Sequence, residues 1–256
     1  MLSVVAAASM LGDGAAAARL SAGQVSQALA KASPDDPADL SRQDLSFLDL
    51  SGLDFKRANL AGANLYGADL SGANLAWANL SGANLDHSVF VRADFTGADL
   101  SNASLFYVAM FSSLAADPAE APRFVRANLS GARILARLSG ANLQGANLAH
   151  VRMGIARDQL KTTVRNDLSG ANLRGANLEA ADLTEVNLAF ADLTDADLAG
   201  ATLVRGDLAH ADLTGANLAR ADLTGADLDG TVLTNAAGLD AAKGLDRARN
   251  GEKAIR

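Results

Sequence analysis

Every fifth residue of this chain is Leu, Phe or Met over two long stretches, and this period constrains the fold more than any other feature. The first run extends from Leu40 to Met110, and the second extends from Leu168 to Leu233 without a missing member. A period of five suits neither common element, because successive members would rotate by about 140° around a helix and would alternate between the two faces of a strand. The chain must therefore turn once in each repeat.

Each repeat divides into a short extended piece and a corner. In Ala63-Asn64-Leu65-Tyr66-Gly67, strand alternation points Ala63 and Leu65 one way and Asn64 the other, so Tyr66 and Gly67 form the corner. Many repeats carry Gly at the last position, where a type II turn needs a positive φ. Because the phases of the leucines and the glycines agree, we expect the Leu, Phe and Ala positions to form the core.

These tandem pentads resemble the pentapeptide-repeat family over most of residues 40–233. The resemblance implies an all-β fold, a right-handed, four-sided parallel β-helix (a solenoid) in which four pentads make one coil of 20 residues. Coils of this kind would stack at the strand spacing of about 4.8 Å, with short helical caps at one or both ends.

The pattern divides the chain into five segments. They are an N-terminal extension (1–39), a first repeat block (40–110), a stretch of interrupted repeats (111–167), a second repeat block (168–233) and a C-terminal tail (234–256). An uncovered coil would expose apolar core and an unpaired strand edge, so both ends need a cap. We expect a helix at residues 20–33, with Leu20, Val25 and Leu29 on one face, and a short helical tail at the other end.

Three breaks in the repeat lie in the middle third of the chain. Residues 111–123 contain Pro118 and Pro122, and this segment and residues 154–166 are predicted to be loops that leave the rod. A phase slip lies between Ile134 and Leu138.

The first 18 residues leave the compartment open. Residues 2–18 contain an apolar run and small residues that resemble a secretory signal, yet no Lys or Arg precedes the run and Asp13 interrupts it. The protein is therefore either cytoplasmic with an N-terminal extension or exported after cleavage of this segment.

Charge is distributed unevenly along the chain. Residues 111–166 carry eight basic and three acidic side chains, a net charge of +5, whereas residues 167–233 carry three basic and twelve acidic ones, a net charge of −9.

Coils of 20 residues would stack Asp167, Asn187 and Asp207 in one outward column. The acidic candidates for contact with a partner are Asp192, Asp197, Asp207, Asp212, Asp222 and Asp227. The simpler interpretation is that Asn and Asp bind turn amides and keep the rod soluble.

Catalysis needs a concave site with convergent polar groups, and a core filled by Leu and Ala leaves no room for one. We therefore predict no enzyme, no cofactor and no metal site. The chain has no Cys, which excludes thiolate ligands and Cys nucleophiles. His87, His150 and His210 are isolated from one another at corner positions and are predicted to be surface residues.

Two further classes of function are disfavoured by composition. No apolar run reaches the roughly 18 to 20 residues of a membrane span. A net charge of −7 argues against direct binding of nucleic acid.

The leading hypothesis is a non-catalytic scaffold that binds a protein partner through its faces or loops. Trp77, at a corner, and Arg157, Lys161 and Arg165, in the second loop, are further candidate contacts. The resemblance implies an alternative, because some pentapeptide-repeat proteins protect type II topoisomerases from quinolones with an acidic rod that looks like DNA. The basic loops do not suit such a mimic. A third possibility is an exported structural rod.

Overall fold

The protein is a four-sided parallel β-helix, described by the computed structural model for residues 19–110, 117–154, 156–157 and 163–255. In the regular coils, the central residue of a pentad, most often Asn or Asp, pairs in parallel with the residue 20 positions later, as Asn64 pairs with Asn84 and Asn84 with Ser104. Each coil makes four such pairs, which generate four outward columns. We number these columns by their first members: column 1 begins at Asp39, column 2 at Asp44, column 3 at Asp49 and column 4 at Asp54.

The interior is filled by the residues that the repeat phase predicts. Leu65 and Ala63 are fully buried, and so are the corresponding residues of the other regular coils. Phe95 stacks on Phe124 with a ring-centroid distance of 4.9 Å. Full burial of one Leu or Phe side chain contributes about 1.5 to 3 kcal/mol, so the stacked rows of Leu, Ala and Phe stabilise the whole rod.

Backbone hydrogen bonds tie each coil to both neighbours. Leu65 N–H donates to the carbonyl of Asn84 in the next coil (2.7 Å), and Asn64 N–H donates to that of Gln43 in the preceding one (2.9 Å). The corner closes where Ala68 N–H donates to Leu65 O (3.0 Å). Gly67 has φ +64°, as the turn requires, and 19 non-glycine residues within the described ranges share this left-handed conformation.

A helix covers the first coil, as predicted. Helix α1 (Ala22–Lys31) begins with a capping box, in which Gln24 N–H donates to Ser21 Oγ and Ser21 N–H donates to Gln24 Oε1. Val25 is buried, and Leu20 and Leu29 pack against the core. Residues 2–18 lie outside the described residues, so the proposed signal segment stays a prediction.

The first interruption is shorter than predicted. Strand β1 (Ser104–Phe106) pairs in parallel with β2 (Arg133–Leu135), and a single-turn 3-10 helix, Pro118–Glu120, lies in the connection. Residue 123 was expected in the loop, yet Arg123 pairs with Asp94 and Phe124 is buried in the core. The repeat therefore resumes with the pentad of Arg123 and Phe124, inside the end of the predicted loop.

The second interruption is a β-hairpin whose exit is part of the core. Strand β3 (Ala156–Arg157) pairs antiparallel with β4 (Thr163–Val164). Asn166 was placed in the loop, but its side chain is buried at the seam between the hairpin and the phase slip. Its amide donates to the carbonyls of Met153 (2.7 Å) and Ile134 (2.9 Å), and its Oδ1 accepts from Ala136 N–H (2.8 Å). The Asn166 side chain thus supplies hydrogen-bond partners to backbone groups that the interrupted repeat leaves without them.

The C-terminal tail covers the last regular coil as a further, wider coil with short helical turns and not as one continuous helix. Its bridges join Asp222 to Lys243, Asp227 to Arg249 and Val232 to Ile255, so each side of this coil has six residues instead of five. Two single-turn 3-10 helices, Leu245–Arg247 and Gly251–Lys253, lie along it. The extra residue on each side makes these turns.

Candidate protein-binding surfaces

Carboxylates of the second block form the predicted columns. Column 3 contains Asp167, Asn187, Asp207 and Asp227 in successive coils, and column 4 contains Asn172, Asp192 and Asp212. Neighbouring members are about 4.8 Å apart along the rod. Two like charges at that distance repel by roughly 1 kcal/mol in water, so the alternation of Asn with Asp in column 3 relieves part of the repulsion.

The acidic side chains also have a structural role, as the simpler interpretation predicts. Oδ1 of Asp192 accepts from Thr194 N–H (3.0 Å), and Oδ1 of Asp212 accepts from Thr214 N–H (2.9 Å). Asp197, Asp207, Asp222 and Asp227 accept from the amide two residues later in the same way. These carboxylates hold their own corners, and their half-buried positions leave part of each group in contact with solvent.

Cations of the last coil end two of the columns, Lys243 in column 2 and Arg249 in column 3. Arg249 lies 3.3 Å from Asp227, and Lys253 lies 3.3 Å from the corner residue Asp229. Burial raises the pKa of Asp227, but hydrogen bonds from Asn250 and from Asp229 N–H, with the charge of Arg249, outweigh it and the pKa lies below its ordinary value. Hydrogen bonds from the Thr224 hydroxyl and amide lower the pKa of Asp222. Both groups are therefore ionised at neutral pH.

The three basic candidates of the second loop do not form one described cluster. Arg165 is exposed, and its guanidinium lies 3.4 Å from Glu185, which also pairs with Arg205 at 2.7 Å. Arg157 belongs to β3, and Lys161 lies outside the described residues. The base of the hairpin is thus fixed to the next coil by Arg165, while the role of Arg157 and Lys161 stays a prediction.

Large aromatic side chains lie exposed at the corners of the rod. Trp77 occupies the predicted corner, has φ 62°, lies against Gly97 and is 53% exposed. Three further exposed aromatic residues were not predicted: Phe47 (68%), Phe190 (67%) and Tyr107 (41%). Phe190 stacks on His210 with a centroid distance of 5.0 Å. Exposed aromatic residues on a rigid support are typical anchors for protein partners.

Four ring side chains form a continuous row along one corner of the first block. The centroid distances are 5.3 Å from Phe47 to Tyr66, 5.0 Å from Tyr66 to His87 and 5.4 Å from His87 to Tyr107. We call this row the aromatic ridge; it lies at the corner between columns 2 and 3 and is about 15 Å long. The signal that could have revealed it is the recurrence of a ring at about 20-residue intervals.

The middle coils carry a shallow depression instead of a deep pocket. It has a volume of about 530 Å³, is open to solvent, and is lined by residues that include Asn102, His150, Arg152 and Asp182. Within the described ranges, no three His, Asp or Glu side chains are placed to hold a metal ion. No helix in the described part of the chain is long and apolar enough to cross a membrane.

Comparisons with known proteins identify the repeats. A sequence model described as pentapeptide repeats matches residues 38–75, 73–106, 123–153, 167–200 and 196–235. No curated protein matches the chain.

Solved structures of similar architecture include HetL, a pentapeptide repeat protein involved in heterocyst differentiation regulation from the cyanobacterium Nostoc sp. strain PCC 7120. It is 28% identical over 93% of this chain and 100% of its own, with a TM-score of 0.46. A trypsin-treated form of QnrB1, a plasmid-mediated fluoroquinolone resistance protein, is 22% identical over 72% of this chain and 91% of its own, with a TM-score of 0.54. The likeness to QnrB1 shows a common fold alone.

Proposed function

The chain belongs to the pentapeptide-repeat family, and we propose that it is a non-catalytic scaffold that binds a protein partner on the outer surface of its right-handed β-helix. Proteins of this family are in general structural or protein-interaction scaffolds. What we add to this general role is that the partner is a protein and that it contacts the outer surface.

The observation that carries this proposal is the contrast between a filled interior and exposed rings at rigid corners. In the regular coils, the inward Leu, Phe and Ala side chains are buried against one another. The groups available for recognition therefore lie outside, and among them Phe47, Trp77, Tyr107 and Phe190 offer large exposed aromatic surfaces.

Rigidity favours binding at these corners. The amide of Phe47 donates to Tyr66 O (2.9 Å), and the amide of Trp77 donates to Thr96 O (2.9 Å), so the backbone under each ring is fixed before a partner arrives. A surface that is already ordered loses little conformational entropy on binding.

The proposal is tested by immobilising the full-length chain, identifying retained proteins by mass spectrometry, and measuring the affinity of each purified candidate by calorimetry. We expect a stoichiometric complex with at least one protein. The proposal is wrong if no purified candidate binds the folded chain, or if the chain alone converts a substrate.

A second candidate function is protection or inhibition of a type II topoisomerase by a DNA-like acidic surface. The observation in its favour is the run of carboxylates in adjacent columns of the second block, where Asp212 follows Asp192 directly and Asp227 follows Asp207. The basic middle coils and the terminal cations Arg249 and Lys253 oppose it.

A supercoiling assay with a purified topoisomerase, with and without a quinolone, tests this second candidate. The matched control carries Asp192→Lys, Asp197→Lys and Asp212→Lys. Inhibition or drug protection by the natural chain, absent from the control, would support the DNA-like surface. No effect at large excess of the protein would remove it.

A further inference from the structure

Phe47, at the N-terminal end of the aromatic ridge, is open to solvent on one side and supported on the other. Its ring lies against Gly67 of the next coil and meets Tyr66 at an interplanar angle of 69°. A side chain at Gly67 would collide with the Phe47 ring, so this glycine leaves the space in which the ring lies. More than half of the Phe47 surface remains exposed.

Two carboxylates lie on the sides of the rod that meet at this corner. Asp44 precedes Phe47 by three residues in column 2, and Asp49 follows it by two residues in column 3. Ser46 donates to Oδ1 of Asp44 through its hydroxyl (2.7 Å) and amide (3.1 Å), and Ser51 does the same for Asp49. These hydrogen bonds lower the pKa of both carboxyl groups, which are therefore ionised.

The chain itself brings guanidinium groups to this corner in two places. Arg19 Nε lies 3.8 Å from Oδ2 of Asp44. At the other end of the ridge, the Arg133 guanidinium lies over the ring of Phe106, the residue before Tyr107, at 4.9 Å from its centroid. A planar cation on an aromatic face and a carboxylate beside it are the two contacts that arginine makes best.

We propose that Phe47, Asp44 and Asp49 form a binding site for an arginine side chain of an extended basic segment in a partner protein. The guanidinium lies on the exposed side of the Phe47 ring and takes the place of Arg19 beside Asp44, whose carboxylate Ser46 holds towards this corner. Asp49, which Ser51 holds towards the next corner, adds negative charge to the site. The site rests on the proposed scaffold function and assigns the chemistry of its partner. Lysine fits less well, because its ammonium group is compact and cannot stack as a plane.

Trp77 provides an internal comparison that separates the ring from the charges. It has the same left-handed corner conformation, lies against Gly97 as Phe47 lies against Gly67, and is also exposed. Asn74 and Asn79 occupy the positions that Asp44 and Asp49 occupy around Phe47. An aromatic ring without carboxylates is therefore present in the same molecule.

The test measures binding of a short capped peptide of alternating Gly and Arg to the full-length protein by fluorescence anisotropy. We expect Asp44→Asn combined with Asp49→Asn to raise Kd about tenfold, since it removes both charges. Asn fits these columns without loss of the turn bond, as Asn64 and Asn74 show. Phe47→Ala should weaken binding to a similar extent, whereas Phe47→Tyr and the control Trp77→Ala should retain it.

Equal binding to all variants, equal affinity for the matching Gly and Lys peptide, or no binding of the arginine peptide would overturn the site. A dimer that dissociates on Phe47→Ala would assign the ridge to a second copy of the chain and would also overturn it. The scaffold proposal is judged separately, because it depends on capture of a purified partner and not on the peptide. A partner that binds when the peptide does not would end this inference alone.

Discussion

The two repeat blocks have the same interior and different exteriors. Leu65 in the first block and Leu213 in the second are buried at the same position of the pentad, and Ala63 and Ala216 are buried two residues before a Leu in both. Outside, the first block carries the aromatic ridge, whereas the second carries carboxylate columns that end in cations. The pentad thus determines the fold through two inward positions and leaves the outward positions free to vary.

This comparison separates stability from recognition. The same substitution at an inward position should lower stability by a similar amount in either block, because every coil buries its neighbours. A change at an outward position should affect the function of one block and leave the fold intact.

The largest effect is expected from a charge in the interior. Leu213→Asp and its counterpart Leu65→Asp should each abolish cooperative thermal unfolding followed by circular dichroism. A carboxylate without a partner in a dry core costs several kcal/mol, comparable with the whole stability of a typical domain. Asn217→Ser, at an outward position, is the matched control and should shift the free energy of unfolding by less than about 1 kcal/mol. A soluble Leu213→Asp variant with unchanged melting would contradict the inward assignment.

The next largest effect is expected at the seam between the hairpin and the phase slip. Asn166→Ala removes three hydrogen bonds to backbone groups. The Asn166 side chain accepts one of them from an N–H and donates the other two to carbonyls. Since a buried unpaired polar group costs about 1 to 3 kcal/mol, the free energy of unfolding in urea should fall by about 3 kcal/mol. Asn177→Ala, at an outward Asn whose side chain accepts from Glu179 N–H, should cost clearly less. Equal losses for the two variants would show that the seam has no special role.

A smaller effect is expected from overpacking. Ala216→Leu and its counterpart Ala63→Leu should each lower the free energy of unfolding by about 1 to 3 kcal/mol, because neighbouring coils leave no space for added methylenes. Denaturant titration of both variants checks whether the interiors are equivalent. A large loss in one block with none in the other would break the comparison.

The smallest effect concerns the outer carboxylates. Asp222 and Asp227 have a lowered pKa in the folded state, so their contribution to stability is present above the ordinary value of 3.8 and is lost as pH falls through the lower folded value. Salt should raise the pKa of Asp227 towards its ordinary value by screening Arg249. Asp49 owes its lowered pKa to Ser51 hydrogen bonds and should respond less.

Carbon chemical shifts of the carboxyl groups, followed against pH at low and high salt, measure this difference. Arg249→Gln should remove much of the salt response of Asp227 and leave Asp49 unchanged. A salt response of Asp49 as large as that of Asp227 would contradict the contrast between the two exteriors.

Tandem copies explain why so much of the fold was predictable from sequence. The turn in each pentad and the buried Phe55, Phe90 and Phe95 follow from a signal that is repeated many times. The coil of 20 residues and its outward columns are what the resemblance to the family implies, and the bridges confirm them. The cap α1 was predictable because Val25 and Leu29 share one helix face; Leu20 precedes the helix and also packs against the core.

The rest depends on single events between distant residues. Asn166 is buried only because a hairpin and a phase slip meet beside it, and no repeat signals that contact. The last coil carries a signal of a different period, since Gly238, Gly244 and Asn250 recur every six residues with positive φ. The aromatic ridge joins residues about 20 positions apart, and a reading by single pentads does not reveal it.

The central claim is that recognition lies on the outer surface and stability on the inner one. The most direct measurement is the Kd of a captured, purified partner for two double variants of the outer surface, together with the Tm of each variant. One pair combines Phe47→Ala with Tyr107→Ala, and the other pair combines Asp192→Lys with Asp212→Lys. We predict that one pair raises Kd at least about tenfold while Tm shifts by only a few degrees. An unchanged Kd for both pairs, or a loss of binding that only follows loss of the fold, would contradict the account.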